Sequence, residues 1–262
     1  MDFVVDGRKV FAAGGGKPFK SELPSVIFIH GAGMDHTVWT LQTRFFAHHG
    51  RNVLALDLPG HGRSEGPAPV SIAAAAEWVM RAMDALKLEK AALVGHSMGA
   101  LIALETAAKA PSRVWALALL GVAARMPVHP DLLKAAQSGE HGAIDLITSW
   151  GYGRRAHLGG AQAPGTWMLG GGTRLLERGA DRVLGTDLAA CNAYLDAPQA
   201  AAKVACPVLV IAGETDRMTA PASARDLATK FQEGRVVTIA GAGHLMMIEQ
   251  PDRTLDALAE AV

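Results

Sequence analysis

The sequence predicts an open α/β fold, with a mostly parallel central sheet of about eight strands and helices on both of its faces. Three observations carry that expectation. Several short runs are apolar without alternation, among them Ser25–Ile29, Val53–Leu56, Val114–Leu120 and Pro207–Ala212. A strand covered on both faces reads this way, and such strands belong to parallel sheets. Stretches with helical spacing separate most of these runs, so strand and helix alternate as βαβ units do. The composition agrees: 50% of residues are hydrophobic, aromatics are 5%, and there are 29 glycines. Small side chains suit close packing of helix on sheet.

The elements follow in order. Phe3–Val5 and Lys9–Ala12 flank Asp6-Gly7-Arg8, a hairpin signal, and the run Gly14-Gly15-Gly16 with Pro18 reads as a surface loop. The strand from Ser25 ends in His30-Gly31-Ala32-Gly33. A helix is expected from Thr37 to His48, with Trp39, Phe45 and Phe46 facing inward. The strand Asn52–Asp57 runs into Leu58-Pro59-Gly60-His61-Gly62-Arg63-Ser64. Ser71 has the position of an N-cap for a helix over Ala73–Leu86. A strand over Lys90–Val94, a helix over Met98–Lys109 stopped by Pro111, and a strand over Val114–Leu120 complete the first half.

After Gly121 the pattern changes. Residues 123–190 contain helical pieces and no convincing strand. Asp131–Trp150 has helical spacing interrupted at Ser138-Gly139, and Gly151-Tyr152-Gly153 and Gly170-Gly171-Gly172 read as breaks. The sheet resumes at Pro207–Ala212, Val236–Ile239 is the last strand and Arg253–Val262 the last helix. The expected organisation is therefore a core of residues 1–122 and 191–262, with 123–190 as a helical cap. A cap inserted there sits over the strand ends, where open α/β sheets bind ligands.

Charge and cysteine content narrow the function classes. Lys+Arg and Asp+Glu are both 25, so no basic face is implied and nucleic acid is not an expected partner. The two cysteines, Cys191 and Cys206, form no Cys-x-x-Cys pair and no zinc-type spacing with histidine, so no metal is expected. The start of the chain lacks a secretion-signal pattern, and no apolar run reaches about 18 residues. No membrane span is expected, and the cytoplasm is the expected location.

One pentapeptide carries chemistry. Gly95-His96-Ser97-Met98-Gly99 fits the nucleophile-elbow pattern, in which a serine sits at the tip of a tight strand-to-helix turn. The flanking glycines remove side chains that would block such a turn. Five residues are a short pattern, and their context must support it. A serine hydroxyl is a poor nucleophile without a base, and the base needs an orienting partner. With this elbow the chain order is serine, acid, histidine. Of the ten histidines, His244 alone follows the resumed sheet, in Gly241-Ala242-Gly243-His244. Asp216 is the favoured acid, in the loop after Val208–Ala212, with Glu214 kept open as the alternative. Developing negative charge on a carbonyl oxygen needs donors. The backbone N–H groups of Met98 and Ala32 are the candidates, with Gly31 and Gly33 letting backbone approach a substrate closely.

Taken together, the motifs His30–Gly33, Asp57–Ser64, Gly95–Gly99, Gly213-Glu214-Thr215-Asp216 and Gly243-His244 resemble the α/β-hydrolase superfamily. More narrowly the chain is similar to small bacterial serine carboxylesterases and their relatives: carbon–carbon bond hydrolases, lactonases and cofactor-free haloperoxidases. The resemblance implies Ser97, Asp216 and His244 as a catalytic triad, Ala32 and Met98 as oxyanion donors, and Asp57 and His61 as structural residues of their loop. It implies no cofactor. A serine at position 97 departs from the aspartate of haloalkane dehalogenases and epoxide hydrolases. Met98 departs from the tryptophan of proline iminopeptidases, and Leu245 from the tryptophan of many ring-cleavage hydrolases.

The expected activity is hydrolysis of a carboxylic ester through an acyl-enzyme. A carbon–carbon bond hydrolase or lactonase with the same triad, and a hydrolase-like ligand receptor, are the alternatives. Trp150, Tyr152, Trp167 and Met168 are the candidate substrate contacts in the cap, together with Tyr194. The apolar set suggests a neutral or hydrophobic small-molecule ester. Arg154-Arg155 reads as a solvated pair rather than a carboxylate clamp.

Overall fold

The structure, a computed structural model, describes residues 1–162, 165–179 and 183–262. The strands are β1 (Asp2–Val5), β2 (Arg8–Ala13), β3 (Ser25–Ile29), β4 (Asn52–Leu56), β5 (Ala91–His96), β6 (Val114–Leu120), β7 (Val208–Gly213) and β8 (Gly234–Ile239). They form one eight-stranded sheet in the order β1-β2-β4-β3-β5-β6-β7-β8. The β1–β2 and β2–β4 pairs are antiparallel, and every other pair is parallel. Strands β3, β4, β5 and β7 are buried at every position. That two-sided burial is why they lack the polar alternation of a half-exposed strand. In register, Ile29 lies opposite Leu56 and Gly95, and His96 lies opposite Leu120. The parallel strands therefore end together, and the loops that follow them meet along one sheet edge.

The helices are α1 (Thr40–His48), α2 (Ile72–Ala85), α3 (Met98–Lys109), α4 (Pro130–Gln137), α5 (Gly142–Gly151), α6 (Arg154–His157), α7 (Met168–Glu177), α8 (Gly185–Ala193), α9 (Ala197–Ala201), α10 (Pro221–Ala228), α11 (Met246–Glu249) and α12 (Pro251–Ala259). Helix α2 shows why the sequence specifies them. The Ser71 hydroxyl accepts from Ala74 N–H at 3.1 Å, which satisfies one of the first-turn donors. Ile72, Ala75, Ala76, Val79, Ala82 and Met83 then fall on one buried stripe.

Three expectations need correction. The helix expected from Thr37 begins as a 3-10 turn over His36–Trp39, because the Asp35 carboxylate accepts from Thr37 N–H at 2.9 Å and tightens the entry. The glycines Gly170–Gly172 do not break a helix; they lie inside α7. A Cβ at Gly170 would come within 2.2 Å of the Trp167 ring, and one at Gly172 within 2.3 Å of the Tyr152 hydroxyl. These glycines serve close approach to aromatic rings, and tertiary packing overrides their poor helix propensity of about 1 kcal/mol each. The boundary at residue 190 falls within α8. Between β6 and β7 the described residues carry α4 to α9 and no strand, and residues 163–164 and 180–182 of that segment lie outside the described residues. No helix of the described residues is long and apolar enough to cross a membrane.

Candidate active site

Ser97 joins β5 to α3 with φ 55° and ψ −117°. A non-glycine residue held there is strained by about 1–3 kcal/mol, which the surroundings must impose. They do so by backbone contact. A Cβ at Gly95 would lie 2.2 Å from the Gly99 carbonyl oxygen, and one at Gly99 would lie 2.3 Å from the Ile29 oxygen. Only glycine fits at either position. Ser97 N–H donates to the Leu120 carbonyl at 2.8 Å, which ties the turn to β6.

His244 and Asp216 come together from the loops after β8 and β7. His244 Nδ1 donates to Asp216 Oδ2 at 2.8 Å. That bond puts the proton on Nδ1 and leaves Nε2 as the lone-pair nitrogen. Nε2 is buried and has no hydrogen-bond partner among the described residues. Asp216 also accepts from the backbone N–H groups of Met218 (2.8 Å) and Thr219 (2.9 Å) and from the Thr219 hydroxyl (2.7 Å). Burial opposes its charge, but His244 by charge and hydrogen bond, with Thr219, holds the carboxyl down to about 2. Glu214 is elsewhere: its carboxylate accepts from Gly241 N–H at 2.9 Å on the exposed side of the same loops.

The loop after β3 closes on the serine. A Cβ at Gly31 would lie 2.9 Å from His96 Nδ1 and 3.3 Å from Ser97 Cβ. Met98 is the first residue of α3, at the helix end that favours negative charge. Ala32, Ser97 and His244 all line one cavity of about 380 Å³. His96, with its Nε2–H donated to the His244 carbonyl at 2.9 Å, lines it too. Burial and the neighbouring His244 push its pKa down to about 3, so it is neutral.

Of the four cap candidates, Trp150 lines this cavity. Tyr152 and Met168 are buried in packing between helices, and Trp167 is 72% exposed. None of these three lines it. The reason is the continuous α7, which turns Met168 into the core and leaves Trp167 at the helix start covering Gly170. Tyr194 is also diverted, donating its hydroxyl to Glu105 at 2.7 Å. The walls near Trp150 come instead from Met126, Val128, Leu132, Ile147 and Leu188.

A family model described as the alpha/beta hydrolase family matches residues 26–257. The chain belongs to the alpha/beta hydrolase family. Among curated relatives, it is 25% identical over 258 residues to an (E)-2-((N-methylformamido)methylene)succinate hydrolase of Acinetobacter baylyi, covering 95% of this chain and 91% of that protein. It is 27% identical over 237 residues to 3-oxoadipate enol-lactonase 1 of the same organism, covering 88% and 85%. Among solved structures it is similar to a thermophilic esterase, with a TM-score of 0.82, 27% identity and coverage of 99% and 95%.

In this alpha/beta hydrolase, several site neighbours had escaped the sequence reading. Thr219 braces Asp216, and the Asp-x-x-Thr spacing of a side-chain-capped turn was the available signal. Glu249 is 4% exposed and accepts from Gly243 N–H at 3.0 Å and from Gly153 N–H at 2.8 Å. Burial pushes its pKa up, against those backbone donors. Its signal was a lone acid after the apolar run Met246–Ile248. His244 N–H donates to the Gly151 carbonyl at 2.7 Å, so the α5–α6 junction is bonded directly to the candidate base. Arg217 lines the cavity, and among the described residues no carboxylate does. Asp57, buried, accepts from His36 N–H and Nδ1 (2.8 Å each) and from Arg63 N–H (2.9 Å). Its oxygens are committed to holding its loop.

Proposed function

We propose that this hydrolase cleaves carboxylic esters through an acyl-enzyme on Ser97, with His244 as base, Asp216 as orienting acid, and the N–H groups of Ala32 and Met98 as oxyanion donors. The observation that supports this most is His244 fixed by Asp216 through Nδ1, its Nε2 left without a partner among the described residues, in a residue that lines the same cavity as Ser97. Ser97 Oγ attacks the ester carbonyl carbon while its proton passes to His244 Nε2. The carbonyl π electrons move onto oxygen, where the donors receive them. Collapse expels the alcohol, which takes the proton from His244. Water then attacks the acyl-enzyme, giving its proton to His244, and Ser97 leaves with that proton as the acid is released. The ionised Asp216 keeps the imidazole in the required tautomer throughout.

The test is covalent labelling. A fluorophosphonate is expected to add once, at Ser97, with loss of nitrophenyl-ester turnover in step. Label on any other residue in an enzyme that turns over esters defeats the assignment.

The segment between β6 and β7 serves in this reading as a cap whose side chains set the acyl profile. Trp150→Ala is expected to raise the relative kcat/KM for longer acyl chains about tenfold. Trp167→Ala, at an exposed ring, should leave the profile unchanged. A panel of nitrophenyl esters from acetate to octanoate decides this, and matching profiles for wild type and Trp150→Ala would sink the role of Trp150.

A second reading is favoured by Arg217. Among the described residues the cavity is lined by the Arg217 guanidinium and by no carboxylate, which suits a substrate that carries a carboxylate, and two relatives are named for a succinate derivative and an enol-lactone. A lactone needs the same steps, its alcohol remaining on the acyl chain. Arg217→Gln is expected to lower kcat/KM for a nitrophenyl hemiglutarate about fivefold, the scale of an exposed ion pair, with nitrophenyl butyrate unaffected. Equal effects on both esters would remove this reading.

A further inference from the structure

Helix α8 sends a carboxylate into the loop that carries Ala32. Asp187 Oδ2 accepts from Gly33 N–H at 2.8 Å and lies 2.8 Å from His61 Nε2. Asp187 is 1% exposed and His61 2%. His61 Nδ1 faces the Pro59 carbonyl at 3.0 Å. Both partners of the ring are acceptors, so both ring nitrogens donate and His61 is the imidazolium whose counter-ion is Asp187. Burial opposes that charge, but Asp187 and the Pro59 carbonyl, with Asp57 further off, raise the His61 pKa above the ordinary value. His30, with its ring 4.8 Å away, is neutral, its pKa pushed down to about 4 by burial and by His61.

The same segment grips the loop sterically. Gly33 has φ +67°, and a Cβ there would lie 2.9 Å from Leu184 and 3.3 Å from Leu176. The orientation of Ala32 depends on the two peptide planes that flank it. The Gly31–Ala32 plane, which holds the Ala32 N–H, is pinned through the Gly31 carbonyl. That oxygen accepts from Met34 N–H at 3.2 Å and from His30 Nδ1 at 2.9 Å. The Ala32–Gly33 plane is held through the Gly33 N–H, whose acceptor is Asp187.

We infer that Asp187 is a positioning residue for ester hydrolysis: its hydrogen bond to Gly33 fixes the loop that presents the Ala32 N–H to the oxyanion. A residue of the segment between β6 and β7 thus completes a donor site carried by the core. The inference rests on the proposed roles of Ser97 and Ala32. The carboxylate acts on the loop through its acceptor oxygen, and a side chain of like size without an acceptor cannot replace it.

The experiment compares Asp187→Leu, which keeps bulk and loses the acceptor, with Asp187→Asn, which keeps an acceptor for Gly33. Asp187→Ala is the second acceptor-less variant should leucine not fold. Turnover of nitrophenyl butyrate is expressed per Ser97 titrated with fluorophosphonate, so unfolded chains do not count. In the acceptor-less variants kcat is expected to fall about 10²-fold, the loss for one oxyanion donor in a serine protease, with KM within about threefold. Inhibition by an alkyl trifluoromethyl ketone, whose adduct is an oxyanion, should weaken in parallel, and asparagine should restore most of both. Hydrogen exchange at the amides of residues 31–34 should accelerate in the acceptor-less variants and not with asparagine. Unchanged kcat per titrated serine, ketone affinity maintained, or unchanged exchange each overturns the inference. If wild-type Ser97 takes no label, the reading of the site fails by itself, while the exchange result still decides whether Asp187 orders the loop.

Discussion

Ser97→Ala is expected to lower kcat for a nitrophenyl ester about 10⁶-fold, the scale found when the nucleophile of a serine protease is removed. The effect is large because the serine and the histidine act as one unit: without Oγ, His244 has nothing to activate for the acyl step. The fold should be unaffected. The strained φ of 55° at this position falls on alanine as it does on serine, and the backbone bond from residue 97 to the Leu120 oxygen remains. The melting temperature of the variant should therefore match wild type. A variant that keeps a tenth of the activity at an unchanged melting temperature would mean that another group is the nucleophile.

Asp216→Asn is expected to cost about 10⁴ in kcat, by analogy with the same substitution in a serine-protease triad. An amide in place of the carboxylate can present its NH₂ to His244 Nδ1, which moves the imidazole proton to Nε2 and removes the base. Asparagine still accepts from Met218 and Thr219 N–H, so the turn persists. Glu214→Gln should change kcat less than about threefold, since an amide oxygen can still accept from Gly241 N–H. If the two effects are exchanged, Glu214 is the acid. Stability provides a second readout. The Asp216 carboxyl is held at about 2, below its ordinary 3.8, so its ionised form stabilises the fold above the ordinary value. That contribution, about 2 kcal/mol, is present at neutral pH and fades as the pH falls from about 4 toward 2. Urea denaturation should therefore show wild type more stable than Asp216→Asn at pH 7, with the part of the gap due to the carboxylate falling to about half at pH 3. A gap that stays constant with pH would mean that the carboxylate is not held by its neighbours.

What the chain reveals by itself follows from how local each determinant is. The central strands were legible because two-sided burial forbids polar residues along them, as in Val53–Leu56. The elbow was legible because backbone contacts at Gly95 and Gly99 admit one residue type, leaving a fixed pattern in five positions. Asp216 could be preferred over Glu214 from loop position and side-chain length, although the proof of their separate partners lies in the structure. The segment between β6 and β7 was the opposite case. Whether Trp150 or Trp167 faces the cavity depends on the rotation of α5 and α7 about their axes, and the glycines that set α7 against Tyr152 read locally as breaks. Asp187 was hidden for a related reason: its partners Gly33 and His61 are 154 and 126 residues away.

The bonds at the α5–α6 junction bear on modularity. The Gly151 carbonyl holds His244 N–H, and Glu249 bridges Gly153 to Gly243. The segment between β6 and β7 is thus bonded into the core beside the proposed base, a contact separate from its tether at Gly33. It is not a cassette that can be exchanged whole between relatives to import a new specificity. A chimera cut at 123 and 190 would bring foreign partners to both anchor points, and its losses would register as damaged chemistry rather than altered choice of substrate. Recombination confined to wall residues that make neither set of bonds, such as Met126, Val128, Leu132 and Trp150, leaves both junctions native. In the proposed reading the unit of inheritance for substrate choice is a handful of side chains, and the helices that carry them belong to the scaffold.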